Sequence, residues 1–348
     1  MTLRATSLKT PGTLVSNDAL LELIRDANGD LPPDEVETYC RRVASLLAKS
    51  GAHCRRLRDR AGGETALSFM IAAVREALDK ASLRPADLGL LIFCGVGRGF
   101  VEPSNAAFLC QALDLACDFF DVSDACMSWV RALQIADSLL STGVHEHIMI
   151  VNGEFTAFEF GLPGVLKVRS REELNYTFPA LTIGEAATAT VVSRSPARWR
   201  FRFRTDAQKA DLCTVPLPGY RDFCLSPGRI GLNGPLQLVS FGADLTSGAL
   251  EALLAFVGDT FTEDEIAAFD LWFPHAASAS LCDTAAKRLG LGGKLYSAVF
   301  PKYGNLISAS VPAAVSTALD EGVLQRGSRI VFCPASAGLS LALVDGVF

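Results

Sequence analysis

The feature that most constrains this chain is a long-period repeat. A polar stretch at Pro85 to Gly89 leads into the apolar run Leu90-Leu91-Ile92-Phe93, and Val144 to His147 leads into Ile148-Met149-Ile150-Val151. About 180 residues later the plan returns: Glu263 to Phe269 leads into Leu271-Trp272-Phe273, and Gly327-Ser328-Arg329 leads into Ile330-Val331-Phe332. A period of that length is the duplication of a whole half, not a solenoid repeat. Amphipathic helices separate the strands. The clearest runs from Thr65 to Lys80, with Leu67, Phe69, Met70, Ile71, Val74 and Leu78 on one side. Helix, short polar turn and buried strand in alternation mark an α/β protein. The expected halves are residues 1–195 and 196–348. Leu133 to Leu140 reads as a helix and Ala189 to Val192 as a strand, while the N-terminal stretch to about Gly51 reads as helical. The segment from Ala197 to about Leu238 holds four prolines and reads as irregular. Its alternating Arg198, Arg200, Arg202 and Arg204 read as a solvated strand face.

With 348 residues, 49% of them hydrophobic, the chain can fill two large cores and is far too apolar for a disordered protein. A net charge of −6 with a pI near 5.4 argues against nucleic-acid binding. No apolar run approaches the roughly 20 residues of a membrane helix, and the start lacks the apolar stretch of a signal peptide. A cytoplasmic protein without a membrane span is expected. Ten cysteines without a CxxC pair, and four scattered histidines, predict neither disulfides nor a metal site.

Chemistry concentrates in four short stretches. Phe119 to Val122 reads as a strand and Met127 to Leu140 as a helix, which places Cys126 at the strand-to-helix turn. Unpaired N–H groups and the helix dipole lower a thiol's pKa there, and a thiolate attacks thioesters well. His275 follows Trp272-Phe273-Pro274 and precedes a helix from Ala279 to Leu289. Asn305 follows Gly304 in a polar loop before another helix. The loop Pro334-Ala335-Ser336-Ala337-Gly338 presents backbone N–H groups suited to an oxyanion hole.

Taken together these stretches resemble the ketoacyl synthase III-type members of the thiolase superfamily. The matching residues are Asp121 to Cys126, Phe273-Pro274-His275 with the later Lys287-Arg288-Leu289-Gly290-Leu291, Gly304-Asn305 with Ala309-Ser310-Val311-Pro312, and the turn Leu181 to Ala187. The likeness runs from about Ala48 to the C-terminus, excepting the irregular middle. It implies a thiolase-like duplicated five-layer αβαβα fold and a homodimer. Within the superfamily, Gly97-Arg98-Gly99-Phe100-Val101-Glu102-Pro103-Ser104 resembles the OleA-type head-to-head acyl-condensing enzymes. In that group a glutamate before Pro-Ser reaches the partner's site as a base, a role the resemblance gives to Glu102.

The resemblance further implies Cys126 as acyl carrier, His275 and Asn305 as donors to an enolate oxygen, and the N–H groups of Cys126 and Ala337 as oxyanion hole. Coenzyme A or phosphopantetheine thioesters, the latter on an acyl carrier protein, would be substrates, with no tightly bound cofactor. Arg55 and Arg56, in a cluster with Arg58 and Arg60, fall where the family binds the nucleotide. The implied reaction is a Claisen condensation serving specialised lipid or natural-product synthesis. Transfer of the Cys126-bound acyl group to a small nucleophile, or a catalytically silent subunit of a heterodimer, are the alternatives. Two departures stand out. Ala276-Ala277-Ser278 lacks the family's glutamine and asparagine, and Ser336-Ala337-Gly338 is not all glycine. Bulky Trp129 and Met127 beside the nucleophile predict a shortened or redirected acyl tunnel.

Overall fold

A computed structural model of the chain describes residues 1–225 and 228–348; Ser226 and Pro227, within the proline-rich middle, lie outside the described residues. Two sheets built on one plan organise the fold. In the first, strands Thr2–Lys9, Ala186–Ser193, His147–Glu154, Leu90–Cys94 and Asp118–Val122 lie side by side in that order. In the second the order is Arg200–Thr205, Ser340–Val347, Arg329–Phe332 and Leu271–Phe273, with a single bridge from Trp272 to Leu295 where a further strand would fall. The repeat seen in the sequence is thus a repeat of pairing. Leu90 lies parallel to Ile148, and Leu271 lies parallel to Ile330.

Alternation along these buried strands assigns their two faces. Leu90, Ile92, Ile148 and Ile150 join Phe273, Ile330, Phe332 and Val344 in one central core, shared with the helices Ser128–Ser141 and Ser310–Asp320. Leu91, Phe93, Met149 and Val151 point the other way, onto Ala66–Ala81 and Asn105–Leu113. Trp272, Val331, Leu341 and Leu343 meet the helix Gly242–Thr260, with Ala279–Arg288 beside it. The layers therefore run helix, sheet, helix, sheet, helix, as expected of a thiolase-like fold. Among the described residues no helix is long and apolar enough to cross a membrane.

Three local expectations change. The N-terminus is not wholly helical: Thr2–Lys9 is an edge strand, followed by the short strand Thr13–Ser16 and only then by helices Asn17–Ala27 and Pro33–Ser50. The strand escapes notice because its buried positions include Thr6 and Ser7, so no apolar run marks it. The middle segment opens with the strand Arg200–Thr205, whose arginines form the solvated face. Arg200 and Arg202 pair with Asp345, while Phe201 and Phe203 turn to the core. Trp129 does not narrow any tunnel. It is 1% exposed, donates from Nε1 to Thr190 Oγ1 (3.1 Å) and packs edge-on against Phe332. Met127 is likewise part of the central core.

Candidate active site

Cys126 is held on a strained elbow. Ala125 before it has φ of 45°, a left-handed conformation uncommon for a residue with a Cβ. Buried Ser128 fastens the turn: its Oγ donates to the Ala125 carbonyl (2.7 Å) and accepts from the Asp124 N–H (2.8 Å). Arg131, one helical turn further on, pairs with Asp124 at 3.1 Å. The helix starts at Ser128 with no side-chain cap, so its first N–H groups face the nucleophile's turn.

The expected ionised thiol is corrected here. Burial pushes the Cys126 thiol well up, reinforced by Cys213 and Glu154; its own N–H and the Ser336 side chain act in the opposite direction but do not win. Desolvation outweighs the helix terminus because charge is what the pocket disfavours. The resting sulfur is therefore a thiol, and attack requires a proton acceptor. His275 fits that need. Burial pulls its imidazole down to about 4, so near pH 7 it is neutral and has a ring nitrogen without a proton that can accept one. Its Nδ1 has no hydrogen-bond partner among the described residues. It sits just past Leu271–Phe273 and before the Ser278-capped helix Ala279–Arg288.

Asn305 is fixed by the opposite half. Its N–H donates to the Thr182 carbonyl (2.8 Å), and its carbonyl accepts from the Gly184 N–H (3.1 Å). These bonds require the backbones to touch. A Cβ on Gly184 would lie 1.9 Å from the Tyr303 carbonyl oxygen, and one on Gly304 would lie 2.4 Å from the Thr182 carbonyl oxygen. The side-chain Oδ1 accepts from the Ile307 N–H (2.9 Å), leaving the Nδ2 hydrogens free to donate. Ile307 carries φ of 52°, so backbone strain again flanks a site residue.

Cys126, His275, Asn305 and Ala337 line one cavity of about 820 Å³ with mostly apolar walls, including Phe178 and Leu281. A second cavity of about 680 Å³, between Met1, Asp137, Arg200 and Asp345, contains none of the candidate residues. Among the described residues no cluster of His, Cys, Asp and Glu could hold a metal.

The remaining candidates lie elsewhere. Glu102 is exposed on the surface loop before helix Asn105–Leu113 and does not line its own chain's cavity. Arg55 is not at a mouth: it is 1% exposed, its guanidinium donating to Asn17 Oδ1 (3.0 Å) and the Val15 and Ser16 carbonyls. Arg56 donates to the Gly12 carbonyl (2.8 Å). Both belong to Cys54–Leu57, paired with Thr13–Ser16, and their terminal nitrogens donate to that neighbouring strand and the residues flanking it. Arg58 holds buried Glu185 at 3.0 Å. The exposed cation that does line the cavity is Lys49, in the last turn of Pro33–Ser50.

Sequence reasoning also missed Glu154. It ends the strand His147–Glu154 fully buried and accepts from the N–H groups of Val96 (3.1 Å) and Gly97 (2.9 Å), and from the N–H and Oγ of Ser308. One carboxyl thereby ties the loop that leads to Glu102 to the loop that carries Asn305. Burial raises it from 4.5 to about 7, against the pull of those four donors. Its signal was a charged residue closing a long apolar strand, at the carboxyl end where α/β sites gather.

Known proteins similar to this chain are condensing enzymes. Residues 261–344 match the family model for the C-terminal part of 3-oxoacyl-[acyl-carrier-protein] synthase III, and residues 120–159 match the family model described as 3-oxoacyl-[acyl-carrier-protein] synthase III. Beta-ketoacyl-[acyl-carrier-protein] synthase III of Natranaerobius thermophilus is 24% identical over 97% of this chain and 95% of its own. Acyl-CoA:acyl-CoA alkyltransferase of Xanthomonas campestris is 28% identical over 86% of both. Among solved structures, OleA of Xanthomonas campestris covers the whole chain and 98% of its own at 23% identity, with a TM-score of 0.81. 3-Oxoacyl-[acyl-carrier-protein] synthase III of Aquifex aeolicus covers 99% of both at 21% identity, with a TM-score of 0.78. The chain thus resembles ketoacyl synthase III-type condensing enzymes around Cys126 and through its C-terminal region, is similar to acyltransferases of that kind over most of its length, and shares the fold of the synthase III and OleA structures.

Proposed function

We propose that the protein joins two acyl thioesters by Claisen condensation, with the first acyl group carried on Cys126. Coenzyme A or phosphopantetheine thioesters are the substrates. As Cys126 attacks the thioester carbonyl, His275 takes the thiol proton and returns it to the departing thiol. The N–H groups of Cys126 and Ala337 receive the oxygen of the tetrahedral intermediate. A second thioester then gives a carbanion. His275 and the free Nδ2 hydrogens of Asn305 donate to its enolate oxygen, and the carbanion displaces Cys126 as it forms the C–C bond. A malonyl thioester reaches this carbanion by losing carbon dioxide. An unactivated acyl thioester needs a base, and Glu102 of the partner subunit in a homodimer is the candidate.

The observation that carries this reading is the Asn305 carboxamide, turned by the Ile307 N–H so that only donors remain for the cavity it shares with Cys126 and His275. Two neutral donors stabilise an enolate, whereas an acid in place of Asn305 would serve transfer to an alcohol. The test is intact-protein mass spectrometry with acyl-coenzyme A, followed by product analysis with paired acyl and malonyl thioesters. An acyl adduct absent from Cys126→Ala and a β-keto product dependent on Asn305 are expected. An adduct that passes only to small nucleophiles, or no adduct at any chain length, would overturn the reading.

A further inference from the structure

The loop that supplies the Ala337 N–H also carries a side chain with no assigned task. Ser336 ends the two-residue strand Ala335–Ser336, which pairs back on Ser340. It is 3% exposed, and it lines the same cavity as Cys126. Its hydroxyl lies beside the Cys126 sulfur and, among the described residues, makes no closed hydrogen bond. Leaving a buried hydroxyl uncommitted is costly, because it surrenders water without gaining a partner. A partner that exists only during turnover resolves that cost.

The sulfur is that partner. Around the resting thiol, burial, Cys213 and Glu154 all resist negative charge, and besides the Cys126 N–H only Ser336 favours it. Cys213 contributes no donor there, since Ser240 engages its own thiol. The sulfur gains negative charge twice in the proposed cycle, once when His275 removes its proton and once when it is expelled by the new C–C bond. A hydroxyl rotates freely about its C–O bond, so Ser336 can accept or donate beside a neutral thiol and turn to donate to a thiolate. A hydrogen bond to a charged acceptor is stronger than one to a neutral acceptor, so the gain falls on the charged states.

We propose that Ser336 is a catalytic residue whose hydroxyl donates to the Cys126 sulfur as it becomes a thiolate, both on attack and on departure. This rests on the Cys126-acyl reading above.

The test compares wild type with Ser336→Ala and Ser336→Gly, two changes that remove the hydroxyl and add no bulk. The first readout is the pH dependence of Cys126 alkylation by iodoacetamide, followed at that residue by peptide mass spectrometry. The second is single-turnover acylation by an acyl-coenzyme A. Both variants are expected to shift the alkylation midpoint upward by about half to one pH unit and to slow acylation roughly 10-fold. An unchanged midpoint with unchanged acylation overturns the proposal. So does a loss greater in the Gly than the Ala variant at constant midpoint, which marks packing. Wild-type acylation without condensed product overturns the Claisen reading but leaves the Ser336 measurement standing.

Discussion

His275 and Glu154 load the folded protein in opposite senses as pH changes, and single substitutions separate the two. His275 is held at about 4, below its ordinary 6.5. Between those values the unfolded chain binds a proton that the native site refuses, so stability rises with pH and is lost as pH falls through about 4. Glu154 is held at about 7, above its ordinary 4.5. Between those values the native protein keeps a proton that the unfolded chain has lost, so stability is full below 4.5 and is lost as pH rises through about 7. At roughly 1.4 kcal/mol per pH unit of displacement, each contribution is about 3 kcal/mol, and over their shared range they nearly cancel. Urea denaturation of wild type, Glu154→Gln and His275→Asn, in steps from about pH 4.5 to 7.5, tests this. The stability of Glu154→Gln relative to wild type should climb by about 3 kcal/mol across that range, and that of His275→Asn should fall by a similar amount. Curves for the two variants that run parallel to wild type would refute the reasoning.

Glu102→Gln should leave acylation of Cys126 intact and abolish condensation of two unactivated acyl thioesters. Mixing it with Cys126→Ala should restore that condensation, because a mixed dimer pairs an intact thiol with an intact partner base; a mixture that stays inactive removes Glu102 from that role. Gly184→Ala drives a methyl into the Tyr303 carbonyl, 1.9 Å away. It should cost about 3 kcal/mol, seen as a lower urea midpoint, and should impair condensation more than acylation because Asn305 loses its anchor. Arg58→Met leaves fully buried Glu185 without its cation and should destabilise by about 3–5 kcal/mol, whereas Arg60→Met, at an exposed position, should change the urea midpoint little.

Residues that act through short-range sequence context were legible. Strands buried on both faces, such as Leu90–Cys94 and Ile330–Phe332, announce themselves as unbroken apolar runs. Cys126, His275 and Asn305 were each a weak signal alone and became legible as candidates only as a set, through the family resemblance; the structure brings all three to one cavity. Edge strand Thr2–Lys9 was hidden because its pairing lies on a strand 178 to 191 residues away, from Ala187 to Ser193. Arg55 misled for a related reason: a cluster of arginines looks solvated until the carbonyls of a neighbouring strand take up its donors. The helix terminus was a sound argument about Cys126, but sequence alone did not reveal how strongly burial acts on its thiol. Ser336 and Glu154 matter through what tertiary structure sets beside them.

The touching backbones of Gly184 and Gly304 have a genetic consequence. A duplicated gene usually frees its copies to diverge, but here the first copy supplies the mould for the second copy's catalytic loop. The turn that closes the first copy is the surface on which the second copy's carboxamide is shaped. Insertions near 181–187 and near 303–308 are therefore tolerated only in concert, and two fragments expressed separately, parted between the sheets at about residue 196, should each be inert until they reassemble.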